Sequence, residues 1–298
     1  MEGLDEVELE KYIKAGNITA QVLEFGKTII KKNVSLLDAT EKIEQKIFDL
    51  GGLPAFPVQI AMNETAAHFC PEDDDKTVLT DQLCCLDVGV HVDGCIGDSA
   101  VTIDLSGKHG DLIKAAEEAL QAALEIVNIG QAIGSIGKRI EETIVSHGFN
   151  PVRNLSGHGL TRFGVHDSPN IPNYDTKEAT MLEKGMTIAI EPFATTGAGM
   201  IHEKGNATVF DMTCKKSVRV GFVRDIFRQL EGYHGLPFTT RWLTKHFTPA
   251  QVKYALGQMR QLGILHEYPP LVERSGGFVS QAEHSVYIDD EIVVLTKL

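Results

Sequence analysis

The chain has 298 residues, 43% of them hydrophobic, which is enough to bury a large core in one domain with an insertion. Its formal charge of −13 argues against non-specific binding of the whole chain to nucleic acid or anionic membranes. The start, MEGLDEVELEKYIK, is acidic where a signal peptide needs a basic flank, and no run is apolar enough for a membrane span. We therefore expect a cytoplasmic protein without a membrane partner.

Two helices are predicted at the start of the chain. Apolar residues recur at helical spacing over Leu4–Lys32. A second helix is predicted over Ser35–Leu50, because Ser35 and Asp38 occupy capping positions at its start. Further along, the acidic run Glu72–Asp75 is typical of a solvated loop.

A hairpin is predicted over Leu83–Leu105. Two apolar strands flank the dipeptide Asp93-Gly94, which favours a two-residue type I′ turn. With such a turn Val92 faces Cys95, and this pair fixes the register of every residue on both strands.

That register brings two carboxylates together. Asp87 falls opposite Ala100, and Asp98 lies two residues from Ala100, so the two aspartates are diagonal neighbours on one face. Diagonal pairs lie roughly 7–8 Å apart at Cα and are closer at their side-chain ends. Two carboxylates in the middle of apolar strands would repel each other strongly unless a cation lay between them. The hairpin therefore predicts a metal site.

Helices and strands alternate after the hairpin, which predicts the α+β class. A long helix over Asp111–Asn128 is followed by one marked by Ile136, Ile140 and Ile144. The apolar run Met186–Ala194 is typical of a buried strand and carries Glu191 at its centre. A further strand pair is expected near Ala207–Cys214 and Ser217–Phe222.

Residues 219–275 differ in character and are interpreted as a helical, winged-helix-like insertion. Thr248 and Pro249 are good N-cap and N1 residues for a helix that runs to about Leu262. Between Arg219 and Arg274 there are eight Lys/Arg and four Asp/Glu, so this segment is basic in an acidic chain. The predicted catalytic domain comprises residues 1–218 and 276–298.

Five ionisable residues lie inside apolar strands or beside glycine-flanked turns: Asp87, Asp98, His158, Glu191 and Glu283. Taken singly, a strand carboxylate usually faces solvent, and a histidine in SGHG is usually a hydrogen-bonding loop residue. Exposure to solvent does not account for Glu191, because TIAIEPF has no polar periodicity that would expose it. Together, four carboxylates and one imidazole suit two divalent ions such as Mn, Fe or Co, with Zn also compatible.

The sequence resembles the type II methionine aminopeptidases over nearly its whole length. The specific motifs are NETAAHFCP, LDVGVHVDGCIGDSAVTIDL, NLSGHGLTRFGVHDSPNIPNY, AIEPFATTGAG and AEHSVYI. This resemblance implies the pita-bread (creatinase/aminopeptidase) fold, a pseudo-two-fold antiparallel sheet flanked by helices, in the short archaeal form. It also implies a hydrolase that removes the initiator methionine from nascent polypeptides when the second residue is small and uncharged. We expect the protein to be a monomer.

The resemblance assigns roles to the five candidates. Asp98 and Glu283 match the ligands that bridge two ions, Asp87 matches a ligand of one ion, and His158 and Glu191 match ligands of the other. Two ions roughly 3.5–4 Å apart share a water and lower its pKa towards about 7. Glu191 is also a candidate proton shuttle between that water and the leaving amine.

Four further positions match residues that contact substrate in the family. His68 and His166 match histidines that are not metal ligands, and both are candidate catalytic and substrate-binding residues. His166 is expected to hydrogen-bond the substrate carbonyl, and His68 to position the peptide beyond the scissile bond. Phe56 and Val165 match positions in the wall of the methionine pocket.

Two alternative functions stay open. The first is a prolidase or proline-specific aminopeptidase; those relatives usually carry a full extra domain before the catalytic half, whereas 86 residues precede Asp87 here. The second is a non-catalytic module whose basic insertion contacts ribosomal RNA. Relatives of that kind typically lose ligands, and all five residue types are intact here. The insertion could equally form a wall of the substrate cleft.

Overall fold

The computed structural model describes residues 4–298, and its elements confirm the predicted α+β class. Within these residues no helix is long and apolar enough to cross a membrane. The helices of the described chain are α1 Glu6–Ile29, α2 Leu36–Asp49, α3 Gly110–Leu124, α4 Ile133–Ser146, α5 Gly221–Glu231, α6 Thr240–Thr244 and α7 Pro249–Gln261.

The strands are short except for one hairpin, and the pairings between them are antiparallel. In the described chain they are β1 Leu53–Pro54, β2 Gln59–Met62, β3 Thr65–Ala67, β4 Leu83–Val92, β5 Cys95–Asp104, β6 Asn150–Pro151, β7 Ser156–Thr161, β8 Gly164–Pro172, β9 Thr187–Ile190, β10 Phe193–Thr195, β11 Ile201–Glu203, β12 Val209–Met212, β13 Phe238–Thr239, β14 Leu265–Tyr268, β15 Leu271–Glu273, β16 Val279–Gln281, β17 His284–Tyr287 and β18 Val293–Val294.

The main body consists of two halves built on the same plan. In the first, α1 and α2 cover a sheet in which β4 pairs with β1, β2 and β5, and fully buried Val22, Ile43 and Leu86 share its core. In the second, α3 and α4 cover the sheet β18-β17-β9-β7-β8, whose core includes Ile140 and Ile188. Two helices on an antiparallel sheet, twice over, are the pseudo-two-fold arrangement expected from the sequence.

The predicted hairpin is confirmed in detail. Val92 pairs with Cys95 and Asp87 with Ala100. Asp93 and Gly94 have φ angles of 51° and 87°, the positive values that a type I′ turn requires at both central residues. Asp87 and Asp98 are therefore diagonal neighbours on one face, as the register predicted.

The long strand predicted over Met186–Ala194 is interrupted. β9 ends at Ile190 and β10 begins at Phe193, with Glu191 and Pro192 between them. Proline has no N–H to donate, so it ends the ladder at this point. The break leaves Glu191 outside regular strand pairing, at the end of β9.

The segment that was interpreted as an insertion has a hydrophobic core of its own. Its helices α5 and α7 pack with the sheet β13-β12-β14 around buried Val223, Phe238 and Met259. The strand expected over Ser217–Phe222 is wrong, since α5 already begins at Gly221. β12 pairs with β13 and β14, both of which lie in 219–275. The division into a catalytic domain and an insertion stays a prediction.

Helix α1 packs directly on β5 through glycines, which gives a stability prediction. A Cβ at Gly97 would lie 2.6 Å from both Cα and N of Gly16. Because backbone atoms cannot move aside as side chains do, Gly97→Ala is expected to lower the free energy of unfolding by about 3 kcal/mol. Gly257→Ala in α7 is the control, since a Cβ there meets nothing within 4 Å and should stabilise by up to about 1 kcal/mol. Equal melting curves for the two variants would contradict the packing described.

Candidate metal centre

The five predicted ligands meet at one cavity. The cavity has a volume of about 780 Å³ and is lined by residues of both halves and of the segment 219–275. Asp87 comes from β4, Asp98 from β5 and His158 from β7, while Glu191 follows β9 and Glu283 precedes β17. The structure thus brings together residues that lie almost 200 positions apart in the sequence.

Ligand atoms of three of them, Asp98, His158 and Glu283, all lie within 4.8 Å of one another. His158 Nε2 is 3.8 Å from Asp98 Oδ2 and 3.6 Å from Glu191 Oε1. These separations are too long for direct hydrogen bonds and leave a space between the nitrogen and oxygen atoms that could bind a metal.

Hydrogen bonds between the two halves fix the backbone at the cluster. The Asp98 N–H donates to Ser285 Oγ over 2.8 Å, and that hydroxyl donates to the Asp98 carbonyl over 2.7 Å. Glu283 N–H donates to the Ala100 carbonyl, and the Ser99 hydroxyl donates to the Glu283 carbonyl. Asp98 and Glu283 are therefore held next to each other by main-chain contacts, independently of their side chains.

The electrostatics of the cluster are unfavourable without a cation. Burial raises the pKa of Asp87 to about 7. Burial, and then the charge of Asp87, raise the pKa of Asp98 well above its usual range. Burial and the neighbouring carboxylates raise the pKa values of Glu191 and Glu283 in the same way. Burial lowers the pKa of His158 to about 3, so its imidazole is neutral and able to act as a ligand.

Among residues 4–298, two buried oxygens in the cluster find no hydrogen-bond partner: Asp87 Oδ1 and Asp98 Oδ1. Buried polar atoms are normally paired, and an exception requires an explanation such as a missing ion. Unpartnered carboxylate oxygens, raised pKa values and a neutral imidazole all fit a site for divalent cations. The donor set of this chain is therefore compatible with the predicted metal.

Sequence reasoning missed two glutamines, one that contacts the cluster and one that holds the backbone of His68 beside it. Gln281 Nε2 donates to Glu191 Oε2 over 3.2 Å and to Glu283 Oε2 over 3.3 Å. Gln59 lies opposite Asp87 in the β2–β4 pairing, and its Oε1 accepts from the His68 N–H over 2.6 Å. Gln281 was detectable, because it lies two residues before Glu283 in an extended segment.

Both predicted histidines line the same cavity. His68 has a φ of 62°, and its buried Nδ1 has no hydrogen-bond partner in the part of the chain that the structure describes. Burial and the nearby His166 lower the pKa of His68 to about 4. The His166 ring lies edge-on to the His158 ring, with 4.8 Å between centroids. The two neutral rings thus stand beside the ligand cluster without belonging to it.

Phe56 and Val165 form an apolar wall beside the cluster. Both are 5% exposed, and they share a hydrophobic cluster that includes Ile96 and Leu236. Gly89, on β4, makes room for this wall, since a Cβ there would lie 2.2 Å from Cε1 of Phe56.

Gly89→Ala should therefore displace the Phe56 ring and reduce the apolar pocket. The sequence prediction that Phe56 and Val165 wall a methionine pocket then implies a roughly tenfold rise in KM for a peptide with N-terminal Met, because a buried side chain loses about 1–3 kcal/mol when its pocket no longer fits. A peptide with N-terminal Ala, which does not fill the pocket, should be affected less. Steady-state kinetics with both peptides test this. An equal change for the two would show that Phe56 does not line the specificity pocket.

The segment 219–275 also contributes to the cavity. His266, Glu267 and Tyr268 of β14 line it, and the Tyr268 ring lies 5.2 Å from that of His68. Tyr268 donates a hydrogen bond to Asp211 Oδ2 over 2.5 Å. The segment thus lines the cavity, as its interpretation as a wall of the cleft requires, and that this cavity is the substrate cleft stays a prediction. These particular residues had no signal in the sequence.

A buried Asp/His/Glu cluster in a cavity lined by two repeated halves is the arrangement expected of a metal-dependent hydrolase with the pita-bread fold. Residues 10–224 match the model of metallopeptidase family M24. The chain is 41% identical to the methionine aminopeptidase of Archaeoglobus fulgidus, over 98% of this chain and 99% of that one. It is 42% identical to that of Thermococcus onnurineus, over 97% and 99%. The chain therefore belongs to metallopeptidase family M24 and, within it, to the methionine aminopeptidases.

Solved structures agree on the fold. The methionine aminopeptidase of Thermotoga maritima superposes with a TM-score of 0.73 at 24% identity, covering 99% of this chain and 98% of that one. The prolidase of Pyrococcus furiosus gives 0.64 at 19% identity, over 98% of this chain and 64% of the prolidase. A thermophilic Arx1 gives 0.85 at 14% identity, over 98% and 91%. The pita-bread fold is confirmed.

Proposed function

We propose that the protein removes the initiator methionine from nascent polypeptides, using two divalent ions held by the five clustered side chains. The observation that carries the proposal is their convergence on one cavity, in a chain that matches methionine aminopeptidases over almost its full length. Asp98 and Glu283 would contact both ions, Asp87 one of them, and His158 and Glu191 the other. The oxygen-rich donor set favours Mn, Fe or Co and is compatible with Zn.

Glu191, His166 and His68 would each have a separate role in the cleavage. When bound, the ions would polarise the scissile carbonyl and lower the pKa of a water to about 7. Glu191 would accept a proton from the attacking water and pass it to the leaving amine. His166 would donate a hydrogen bond to the carbonyl oxygen as negative charge develops there, while His68 would hold the peptide beyond the scissile bond.

The apolar wall suits the side chain that is removed. A thioether chain is unbranched and polarisable, and it packs well against rings and branched aliphatic groups such as Phe56 and Val165. By analogy with the family, we propose that the space beyond this pocket admits only small, uncharged second residues.

Substrate choice separates this proposal from the prolidase alternative. We expect the metal-loaded protein to release methionine from Met-Ala-Ser and to leave X-Pro dipeptides intact. The similarity supports this, because the chain covers 99% of curated methionine aminopeptidases but 64% of the matched prolidase. Cleavage of X-Pro dipeptides alone would reverse the assignment.

We further propose that the protein acts as a monomer in the cytoplasm, where nascent chains emerge. All five candidate ligands come from one chain, which supports a site complete without a second copy. Ultracentrifugation at micromolar concentration tests the oligomeric state, and a stable dimer would contradict it.

The basic segment could also contact ribosomal RNA. Exposed Arg219, Arg224, Lys245 and Lys253 support this, although Arg241 is buried and Arg228 is paired with Asp225. A contact with phosphates should weaken steeply as salt rises from 50 to 200 mM in a ribosome pelleting assay. Absence of pelleting, or pelleting that does not depend on salt, would count against it.

A further inference from the structure

One buried contact joins the segment 219–275 to the main body. The Arg241 side chain on α6 is 0% exposed, although it carries a guanidinium. Its Nη1 donates to Glu44 Oε2 over 2.8 Å, and its Nη2 donates to Glu44 Oε1 over 2.7 Å. Glu44 lies on α2, 197 positions earlier in the chain. This two-pronged pair uses the planar fork that arginine has and lysine lacks.

Arg241 also holds the main chain that follows His68. Its Nε donates to the Pro71 carbonyl over 3.2 Å, and its Nη2 lies 3.5 Å from Cys70 Sγ. One side chain therefore reaches α2 and the segment 70–71 at the same time. We call the contacts between residues 70–73, Glu44 and α6 the junction.

The acidic run takes part in the junction. Thr240 Oγ1 donates to Glu72 Oε1 over 3.2 Å, and Thr244 Oγ1 donates to Asp73 Oδ2. The run was interpreted from sequence as a solvated loop, and Glu72, Asp73 and Asp74 are indeed exposed, while Asp75 is half-buried. Two of them are nevertheless held by hydroxyls of α6.

The junction begins two residues after a candidate catalytic group. His68 is not a glycine but has a positive φ, a conformation that persists only where neighbouring structure enforces it. On one side Gln59 accepts its N–H, and on the other Arg241 holds Cys70 and Pro71. The backbone around His68 is thus fixed from two directions.

The segment 219–275 also places an aromatic ring beside the two histidines. Tyr268 lies 5.2 Å from His68 and 5.9 Å from His166, measured between ring centroids. Its hydroxyl is held by Asp211 of the neighbouring strand β12. The position of Tyr268 over the histidines therefore depends on how the segment 219–275 sits on the body.

We propose that Arg241 and Glu44 are positioning residues of the aminopeptidase reaction. Through the junction they hold His68 and Tyr268 where the peptide binds. A buried ion pair is weak evidence for stabilisation by itself, because desolvation offsets most of its attraction. A role in fixing the position of the chain after His68 explains why the Arg241 guanidinium contacts both α2 and that chain. This inference rests on the proposed function.

Arg241→Lys tests it, because lysine keeps the charge but cannot contact Glu44 and Pro71 together. We expect KM for Met-Ala-Ser to rise roughly tenfold with kcat changed less than about threefold, since misplaced positioning groups weaken binding of the substrate. Metal-induced stabilisation should stay parental, because no ligand is touched. Arg228→Lys is the matched control; Arg228 and its partner Asp225 form an exposed pair within α5 that is not part of the junction, so parental kinetics are expected.

The only tryptophan of the chain reports on the junction directly. Trp242 Nε1 donates to Glu44 Oε2 over 3.1 Å. Its emission should change in Arg241→Lys and stay parental in Arg228→Lys. Should Arg241→Lys fail to fold, Thr240→Val and Thr244→Val remove the hydroxyls that hold Glu72 and Asp73, and KM should rise in the same direction by a smaller factor.

The outcomes separate the inference from the function on which it rests. If the parental protein does not cleave Met-Ala-Ser, the proposed function fails. If the parental protein cleaves it and a folded Arg241→Lys protein shows the parental KM, the positioning role is wrong. A lower kcat together with a reduced metal-induced stabilisation would also overturn the inference, because it would show an effect on the metal centre rather than on the peptide.

Discussion

Asp98→Asn is expected to lower kcat/KM for Met-Ala-Ser by about a thousandfold or more while the protein remains folded. The amide places an N–H₂ group in a cluster where both carboxylate oxygens are needed, one beside His158 and the other buried without a partner. A thousandfold loss corresponds to about 4 kcal/mol of transition-state stabilisation, within the range that metal centres supply. Steady-state kinetics at saturating metal measure it.

Asp104→Asn is the matched control on the same strand. Its carboxylate accepts hydrogen bonds from the Ser106 and His109 N–H groups, far from the ligands. This change should lower the free energy of unfolding by about 1 kcal/mol and leave the kinetics parental. Asp98→Asn should not destabilise the metal-free protein, because it removes one of four mutually repelling carboxylates. A folded Asp98→Asn protein with parental activity would contradict the assignment of Asp98.

Divalent metal is expected to raise the melting temperature of the metal-free protein by about 10 °C. Four neighbouring carboxyl groups, two buried and two half-buried, have raised pKa values, and bound cations would offset the repulsion between their negative charges. A ligand at a hundred times its Kd stabilises by about 2.7 kcal/mol per site, and two sites double this. Differential scanning fluorimetry of chelator-treated protein, with Mn²⁺ or Co²⁺ added back, measures the shift.

The acidic run supplies the control for this shift. Asp74→Asn removes an exposed carboxylate outside the cluster and should keep the full metal-induced shift. Asp98→Asn should lose most of it. If metal raises the melting temperatures of the parental protein, Asp74→Asn and Asp98→Asn equally, the ions bind somewhere other than the cavity.

The central hairpin could be predicted from sequence because its information is local. The dipeptide Asp93-Gly94 specifies the turn, and the turn fixes the register that places Asp87 diagonal to Asp98. Glu191 stood out because no polar periodicity could expose it. His158 and Glu283 were selected by their place beside a glycine-flanked turn or in an apolar strand, and the resemblance then assigned roles to all five. The structure brings the five residues to one cavity.

What the sequence did not reveal depends on contacts between distant segments. Arg241 is one of eight basic residues in its segment, and nothing nearby shows that its partner is Glu44 on α2. Tyr268 likewise reaches His68 only through the packing of β14 on the cavity. The strand expected over Ser217–Phe222 was wrong, because α5 begins inside that range at Gly221, with Val220 as its N-cap.

The break after Ile190 was visible in the sequence but was not interpreted as one. Pro192 ends the ladder, and this frees Glu191 from strand pairing at the edge of the cavity. The apolar run Met186–Ala194 was thus predicted as one strand. Its Pro192 marks the break between β9 and β10 at which Glu191 faces the cavity.

The most direct test is a titration of chelator-treated protein with Co²⁺ or Mn²⁺, in which free methionine released from Met-Ala-Ser is measured against equivalents of metal added. We predict no release without metal and a rate that reaches its plateau at two equivalents per chain. Release at the full rate after complete removal of metal would contradict the idea that cations held between the two halves of the molecule drive the cleavage.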